Sequence, residues 1–280
     1  MNQVRITDPA DPRLGDYAAL NDPALRKRYE NELGVFIAEG PNVVRELLAS
    51  RYPTRSVLVA EEHLDAVHAD LDHLPDDVPV YVVARALLYE VVRFRLHQGV
   101  LGCGDRLVAP DPAAVIEGAR TVAVLEGLND HENLGTLFRS ARGLGVDAVL
   151  LAPGCADPLY RRSVRVSMGH VLHVPFARVA ELGQALPWLH DAGFATVALT
   201  PREDATDLAT TTRPADRVAV LLGAEGPGLS DAAIAGASHA VRIAMHDGVD
   251  SLNVAAAGAI AFHALASEQS HALASEQSHA

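Results

Sequence analysis

The feature that most constrains the fold is an alternation of short apolar runs with helix-length segments from Thr121 onward. Runs at 121–126 (TVAVLE), 147–152 (DAVLLA), 171–176 (VLHVPF), 194–199 (FATVAL), 217–222 (RVAVLL) and 240–245 (AVRIAM) have strand length and are rich in β-branched residues. Segments at about 134–144, 159–168, 179–191 and 230–236 read as helices between them, and a last helix is expected from about Leu252 to Ala266. Runs that are apolar throughout, rather than alternating, belong to strands buried on both faces. A mostly parallel sheet covered by helices is therefore predicted.

The first hundred residues form a smaller α/β pattern. Residues 1–30 are polar and broken by prolines, with room for one or two short helices. Strands are expected at 35–38 (VFIA), 56–60 (SVLVA) and 79–83 (PVYVV), with another inside 98–109. Helices are expected from Pro41 to about Ser50, over 61–71 and over 84–92, Pro41 fitting a first helical turn. At about 100–200 residues per domain, 280 residues fit two domains. The boundaries expected are 1–108 for the first domain, 109–118 for a linker beginning APDPA, and 119–266 for the second. The octapeptide HALASEQS at 263–270 recurs at 271–278; a repeat this short is no solenoid unit, and the tail 267–280 carries no functional weight.

Charge narrows the classes of partner. The chain carries 23 basic and 36 acidic residues, net −13. Residues 1–110 hold 12 basic and 17 acidic groups, and residues 111–280 hold 11 and 19, so neither half is a basic module. Nucleic-acid binding by bulk charge is disfavoured, and only local clusters could neutralise phosphates: Arg26-Lys27-Arg28, Arg93 with Arg95, and Arg161-Arg162-Arg165. Arg93 and Arg95 flank Phe94 and fit either RNA contacts or a surface edge. No uncharged apolar run reaches ~18 residues, so no membrane span is expected. The first residues have no apolar core of a signal peptide. Cys103 and Cys155 are the sole cysteines, which suits a reducing cytoplasm and excludes a CxxC zinc site. His63, His68 and His73 lack ligand spacing, so no metal is expected.

Three segments of the second domain carry chemistry. In Asn133-Leu134-Gly135-Thr136-Leu137-Phe138-Arg139, Asn133 can cap a helix, and Gly135 and Arg139 share one face. A cation beside a helix N-terminus suits a phosphate-bearing substrate; a capped helix with a surface arginine explains the segment equally. Leu222-Gly223-Ala224-Glu225-Gly226-Pro227-Gly228-Leu229 follows an apolar strand, where ligands of open α/β sheets bind. It has neither the GxGxxG of a dinucleotide fold nor the Lys-Ser/Thr of a P-loop. In Ile243 to Val254 a strand ends in a polar loop, Ser251 is placed to cap the last helix, and Asn253 sits in its first turn.

Together, NLGTLFR, LLGAEGPGLS and IAMHDGVDSLNVAAAGAIAF resemble the three ordered motifs of the SpoU (TrmH) family of RNA ribose 2′-O-methyltransferases in the SPOUT superfamily. DPLYRRSVRVSMGHVLHVPF is similar to that family's second-helix segment, and the likeness covers about 121–265. NELGVFIAEGPNVVRELLAS resembles the family's N-terminal substrate-binding domain, whose F-x-x-E-G opening matches Phe36 to Gly40. The resemblance implies a trefoil-knotted C-terminal methyltransferase domain, a smaller N-terminal α/β RNA-binding domain, a homodimer, and S-adenosylmethionine as cofactor. It implies cofactor contacts at Gly223, Ile243 and Leu252, with Met245 and Ser251 close by. It places activation of the ribose hydroxyl on Arg139, with Asn133, Glu225, Ser251 and Asn253 completing the polar site. Arg161, Arg162 and Arg165 become candidate RNA contacts. The RNA expected is ribosomal, with tRNA the near alternative; a non-catalytic RNA-binding protein is the rival from another class. His131 stands where the family often has proline.

Overall fold

The computed structural model describes residues 1–18, 20, 22 and 33–265. The Arg26-Lys27-Arg28 cluster and the repeated tail lie outside the described residues. The chain divides into two compact units, Met1–Val108 with Pro158–His173, and Ala109–Asp157 with Val174–Ala280. The segment Pro158–His173, read from the sequence as part of the second domain, thus packs with the first unit.

The first unit holds a mixed five-stranded sheet in the order β1-β4-β3-β5-β2. Its strands are β1 (Asn2–Arg5), β2 (Val35–Glu39), β3 (Thr54–Ala60), β4 (Pro79–Val83) and β5 (Val100–Asp105). Helices α1 (Pro41–Leu48), α2 (Leu64–Leu71) and α3 (Arg85–Val92) connect them, and α6 (Arg161–Val166), numbered in chain order, belongs to the same unit. Strand β1 carries no sequence signal: NQVR is an edge strand with mostly exposed side chains, paired among the described residues with β4 alone. Strand β5 is the opposite case. A Cβ at Gly102 would sit 2.9 Å from Leu47 Cδ2, so the missing side chain lets α1 lie on the sheet.

The second unit is built on seven parallel strands in the order β10-β12-β9-β11-β6-β7-β8. They are β6 (Thr121–Glu126), β7 (Ala148–Leu151), β8 (Phe176–Arg178), β9 (Ala195–Leu199), β10 (Thr206–Asp207), β11 (Val218–Gly223) and β12 (His239–Arg242). Helices are α4 (Pro112–Ile116), α5 (His131–Gly143), α7 (Leu182–Asp191), α8 (Asp231–Gly236) and α9 (Val254–Leu265). The central strands β6 and β11 are buried almost throughout, as their unbroken apolar runs require. Arg217 locks the start of β11, donating to the carbonyls of Ala119, Ala192 and Ile116 at 2.7–2.9 Å with its guanidinium 4.1 Å from the Phe194 ring centre.

Two sequence expectations change. The run 171–176 is not a strand: His170–Leu172 forms a 3-10 turn after left-handed Gly169, and β8 begins only at Phe176. Pro175 has no N–H to give a ladder, although its carbonyl accepts from Val149 at 2.9 Å. The expected linker turns helical at Pro112, where Asp111 caps α4 by accepting from Ala113 at 3.1 Å.

Candidate active site

The C-terminal ends of neighbouring parallel strands leave a crevice where ligands of open α/β sheets bind. Here β11 ends at Gly223, opposite Glu126 at the end of β6. The chain then reverses, with Ala224 and Gly228 bridged and the Gly228 amide donating to the Ala224 carbonyl at 2.9 Å. A Cβ on Gly223 would overlap the backbone of Gly228 and Leu229, so the turn closes this tightly only around glycine. Glu126 fastens the far side, accepting from Ser230 N at 2.8 Å and Ser230 Oγ at 2.9 Å, while Ser230 caps α8. That carboxylate is therefore committed to structure, whereas Glu225 at the exposed turn is not tied to the turn's own backbone and lines the crevice.

The start of α9 reaches Glu225 directly, and the first turn of α5 joins it through Asn253. Helix α9 starts at Val254, and Asn253 is its cap: Oδ1 accepts from Ala255 N at 3.0 Å and Ala256 N at 3.3 Å. Its Nδ2 donates to Glu225 Oε1 at 2.7 Å and Asn133 Oδ1 at 2.8 Å. One amide thus fills all four of its hydrogen-bonding positions, a pattern that assigns its orientation and that of Asn133. Asn133 then presents its own NH2 as a donor. The capping expected of Ser251 and Asn133 is corrected. Ser251 lies before the helix, its Oγ 3.3 Å from Asp250 Oδ1. Helix α5 starts earlier, at His131, because Asp130 caps it by accepting from Glu132 N and Asn133 N. His131 occupies the first helical position, where proline is also well tolerated.

A cavity of about 480 Å³ opens beside this group. Gly223, Ile243, Met245, Ser251 and Leu252 all line it, together with Glu225 and Asn253. Leu199, Thr200 and Pro201 complete one wall and were not singled out from the sequence. They end and follow β9, which neighbours β11 in the sheet, so the strand order would have pointed to them. The walls combine apolar side chains with backbone at a strand end, the lining usual for a small-molecule site. Helix α9 closes against α5 and β11, since a Cβ on Gly258 would meet Leu137 and, at 3.0 Å, Leu222.

The sequence model described as the SpoU rRNA Methylase family matches residues 120–263. This chain belongs to that family. A relative from Mycobacterium tuberculosis, named a tRNA/rRNA methyltransferase, is 46% identical over 260 residues, which span 92% of this chain and 90% of the relative. The AdoMet-bound rRNA methyltransferase from Sinorhizobium meliloti superposes with a TM-score of 0.78 at 25% identity, covering 94% of this chain and 97% of that one. A solved structure titled RNA 2′-O ribose methyltransferase gives a TM-score of 0.74 at 26% identity, covering 94% and 98%. The overall architecture is that of a SPOUT methyltransferase.

The SpoU motifs converge unequally. Asn133, Glu225 and Asn253 are hydrogen-bonded together, and Ser251 lines the same cavity. Arg139 is not in the group. It is exposed on α5, six residues and about 9 Å along the axis from Asn133, and it pairs with no other described residue. The three candidate RNA arginines lie on α6 in the first unit. Arg161 Nη1 donates to Glu39 Oε2 at 2.6 Å, Arg165 lies 3.7 Å from Glu39 Oε1, and Arg162 is exposed. Among the described residues no helix is long and apolar enough to cross a membrane. Cys103 and Cys155 are both buried free thiols.

Proposed function

We propose that this protein transfers a methyl group from S-adenosylmethionine to a ribose 2′-oxygen in RNA, with ribosomal RNA as substrate. The observation that carries the reading is the Asn133–Glu225–Asn253 group at the mouth of a cavity suited to the cofactor. Gly223, Ile243, Met245, Ser251 and Leu252 would hold S-adenosylmethionine. When bound there, the cofactor supplies an electrophilic methyl group on a sulfonium.

The 2′-hydroxyl is a poor nucleophile because it is very weakly acidic. Transfer needs its oxygen aligned with the methyl group and relieved of its proton. Fixing the acceptor in line supplies much of the rate. Asn133 offers its NH2 toward the ribose because Asn253 already occupies its carbonyl. Glu225 keeps Oε2 as an acceptor for a ribose hydroxyl, since Asn253 holds only Oε1. Arg139 stabilises the charge that develops on the oxygen and holds the neighbouring phosphate.

The first unit, with Arg161, Arg162 and Arg165, recognises the RNA. The trefoil knot and a homodimer belong to the same reading. Helix α9 is apolar nearly all round yet leaves Ile260 exposed, and exposed Leu252 and Val249 precede it; a second copy would cover this surface. Two reduced cysteines fit a cytoplasmic location.

The test is methyl transfer from tritiated S-adenosylmethionine to purified rRNA and tRNA pools, followed by nucleoside analysis. A labelled 2′-O-methyl nucleoside from rRNA is the expected result, lost in Arg139→Ala while RNA binding persists. Label in the tRNA pool alone would move the substrate. Label on a base would overturn the ribose assignment. Absence of both transfer and cofactor binding would favour a non-catalytic RNA-binding protein.

A further inference from the structure

A second cavity, of about 540 Å³, lies wholly within the first unit and takes no part in the methyl-transfer site. It is lined by Glu39 at the end of β2, by Phe94 and Arg95 after α3, and by Arg161, Arg165 and Met168 on and after α6. Three arginines and one carboxylate line it, Arg161 and Arg165 against Glu39, in a chain of net charge −13. Arg161 lies over the Phe94 ring, 4.7 Å from its centre, and its hydrogen bond to Glu39 fixes it there. The result is a flat cation held in one orientation, with an 18% exposed side chain. Arg165 is half exposed, and Arg95 is exposed with no partner among the described residues.

The backbone around the cavity is strained. Arg93 (φ 60°) and Met168 (φ 56°) are two of the three non-glycine described residues with positive φ; Met168 lines the cavity and Arg93 directly precedes the lining residues Phe94 and Arg95, on two of the three segments that form the walls. Glycine is the usual residue at such helix ends. Strain kept at a non-glycine position clusters at binding sites. A purely structural clamp of α6 would need Arg161, Glu39 and Phe94; it would need neither the hollow nor Arg95.

We propose that this cavity binds one unpaired nucleotide of the RNA strand, its base stacked on the Arg161 guanidinium and its phosphates held by Arg95 and Arg165. Arginine planes and aromatic rings are the usual platforms for splayed-out RNA bases, and the volume admits a nucleotide but not a duplex. The assignment rests on RNA being the substrate and names the form in which the first unit reads it.

Fluorescence anisotropy on the full chain tests it, with a labelled 12-nucleotide single-stranded oligoribonucleotide and a blunt RNA duplex of equal length. Wild type should prefer the single strand. Arg95→Ala/Arg165→Ala should weaken single-strand binding roughly tenfold and flatten the log Kd–log salt slope by about 1.4, two phosphates' worth. Arg161→Lys keeps the charge facing Glu39 but removes the stacking plane. It should lose roughly tenfold in affinity with an unchanged salt slope, measured at a temperature where circular dichroism shows the variant fully folded. Equal binding of duplex and single strand, or a double variant with wild-type Kd and slope, would overturn the assignment. Both readouts are independent of methyl transfer. Transfer with inert variants would remove this subsite alone, whereas absent transfer with weakened variants would remove the proposed reaction alone.

Discussion

Asn253 does two jobs with one amide, and two substitutions separate them. Asn253→Ala removes the cap of α9, about 1 kcal/mol, and two donated hydrogen bonds worth about 0.5 kcal/mol each at an exposed position. The loss of about 2 kcal/mol should lower the melting temperature by about 4–8 °C for a unit of this size. Asn253→Asp keeps the cap, because an aspartate oxygen accepts the same Ala255 and Ala256 amides. It places a carboxylate oxygen where Nδ2 now sits 2.7 Å from Glu225. Repulsion between the two charges is about 1–4 kcal/mol between water-like and surface dielectric, the lower end applying at this exposed site. At pH 7 the two variants should therefore be destabilised alike, for different reasons. Acid tells them apart. Two facing carboxylates raise the pKa of the pair above its unfolded value. The Asn253→Asp deficit is therefore full above that raised pKa and shrinks as pH falls through it, when one shared proton restores a donor. Asn253→Ala has no such recovery. Urea denaturation at pH 7.0 and 4.5, each against wild type, reads the difference through Trp188, the single tryptophan, which lies on α7 in the same unit. If the Asn253→Asp deficit is the same at both pH values, its side chain does not face Glu225 and the three-residue group is wrong.

Gly223→Ala should cost about 3 kcal/mol and abolish S-adenosylmethionine binding in calorimetry, because the new methyl overlaps the Gly228 backbone rather than a movable side chain. Arg217→Ala strands the carbonyls of Ala119, Ala192 and Ile116 and should lower stability by about 2–3 kcal/mol in denaturant titration. Burial raises the thiol pKa of Cys103 and of Cys155, so neither should react with a disulfide reagent at pH 8 until the protein is unfolded. Side-chain and backbone hydrogen bonds with Arg13 lower the Asp11 carboxyl to about 2, so its carbon-13 NMR titration should run below the ordinary carboxylate range. Arg13→Ala should return it upward.

The parallel sheet was legible because strands buried on both faces cannot hide their composition. TVAVLE and RVAVLL are apolar at every core position, and they became the adjacent central strands β6 and β11. NQVR was not legible, because an edge strand needs no core face. VLHVPF misled for a related reason: a short apolar run marks burial, not conformation. Val171 and Leu172 are indeed buried, but in a 3-10 turn.

The polar site shows where one-dimensional reading stops. Capping rules rank Ser and Asn as near equals, so Ser251 and Asn253 competed for the same helix start, and nothing local separates them. Glu225 and Asn133 decide it, from 28 and 120 residues away. An asparagine whose amide is held by those partners has its carbonyl turned toward the first amides of α9, whereas the Ser251 hydroxyl donates to Asp250 and to no amide of α9 among the described residues. The same logic explains Asn133. With Asp130 already accepting from the first amides of α5, Asn133 was released from capping to join the site. Residue types at these positions were readable from spacing; the division of labour among them required the strand order that brings β11 and the two helix starts together.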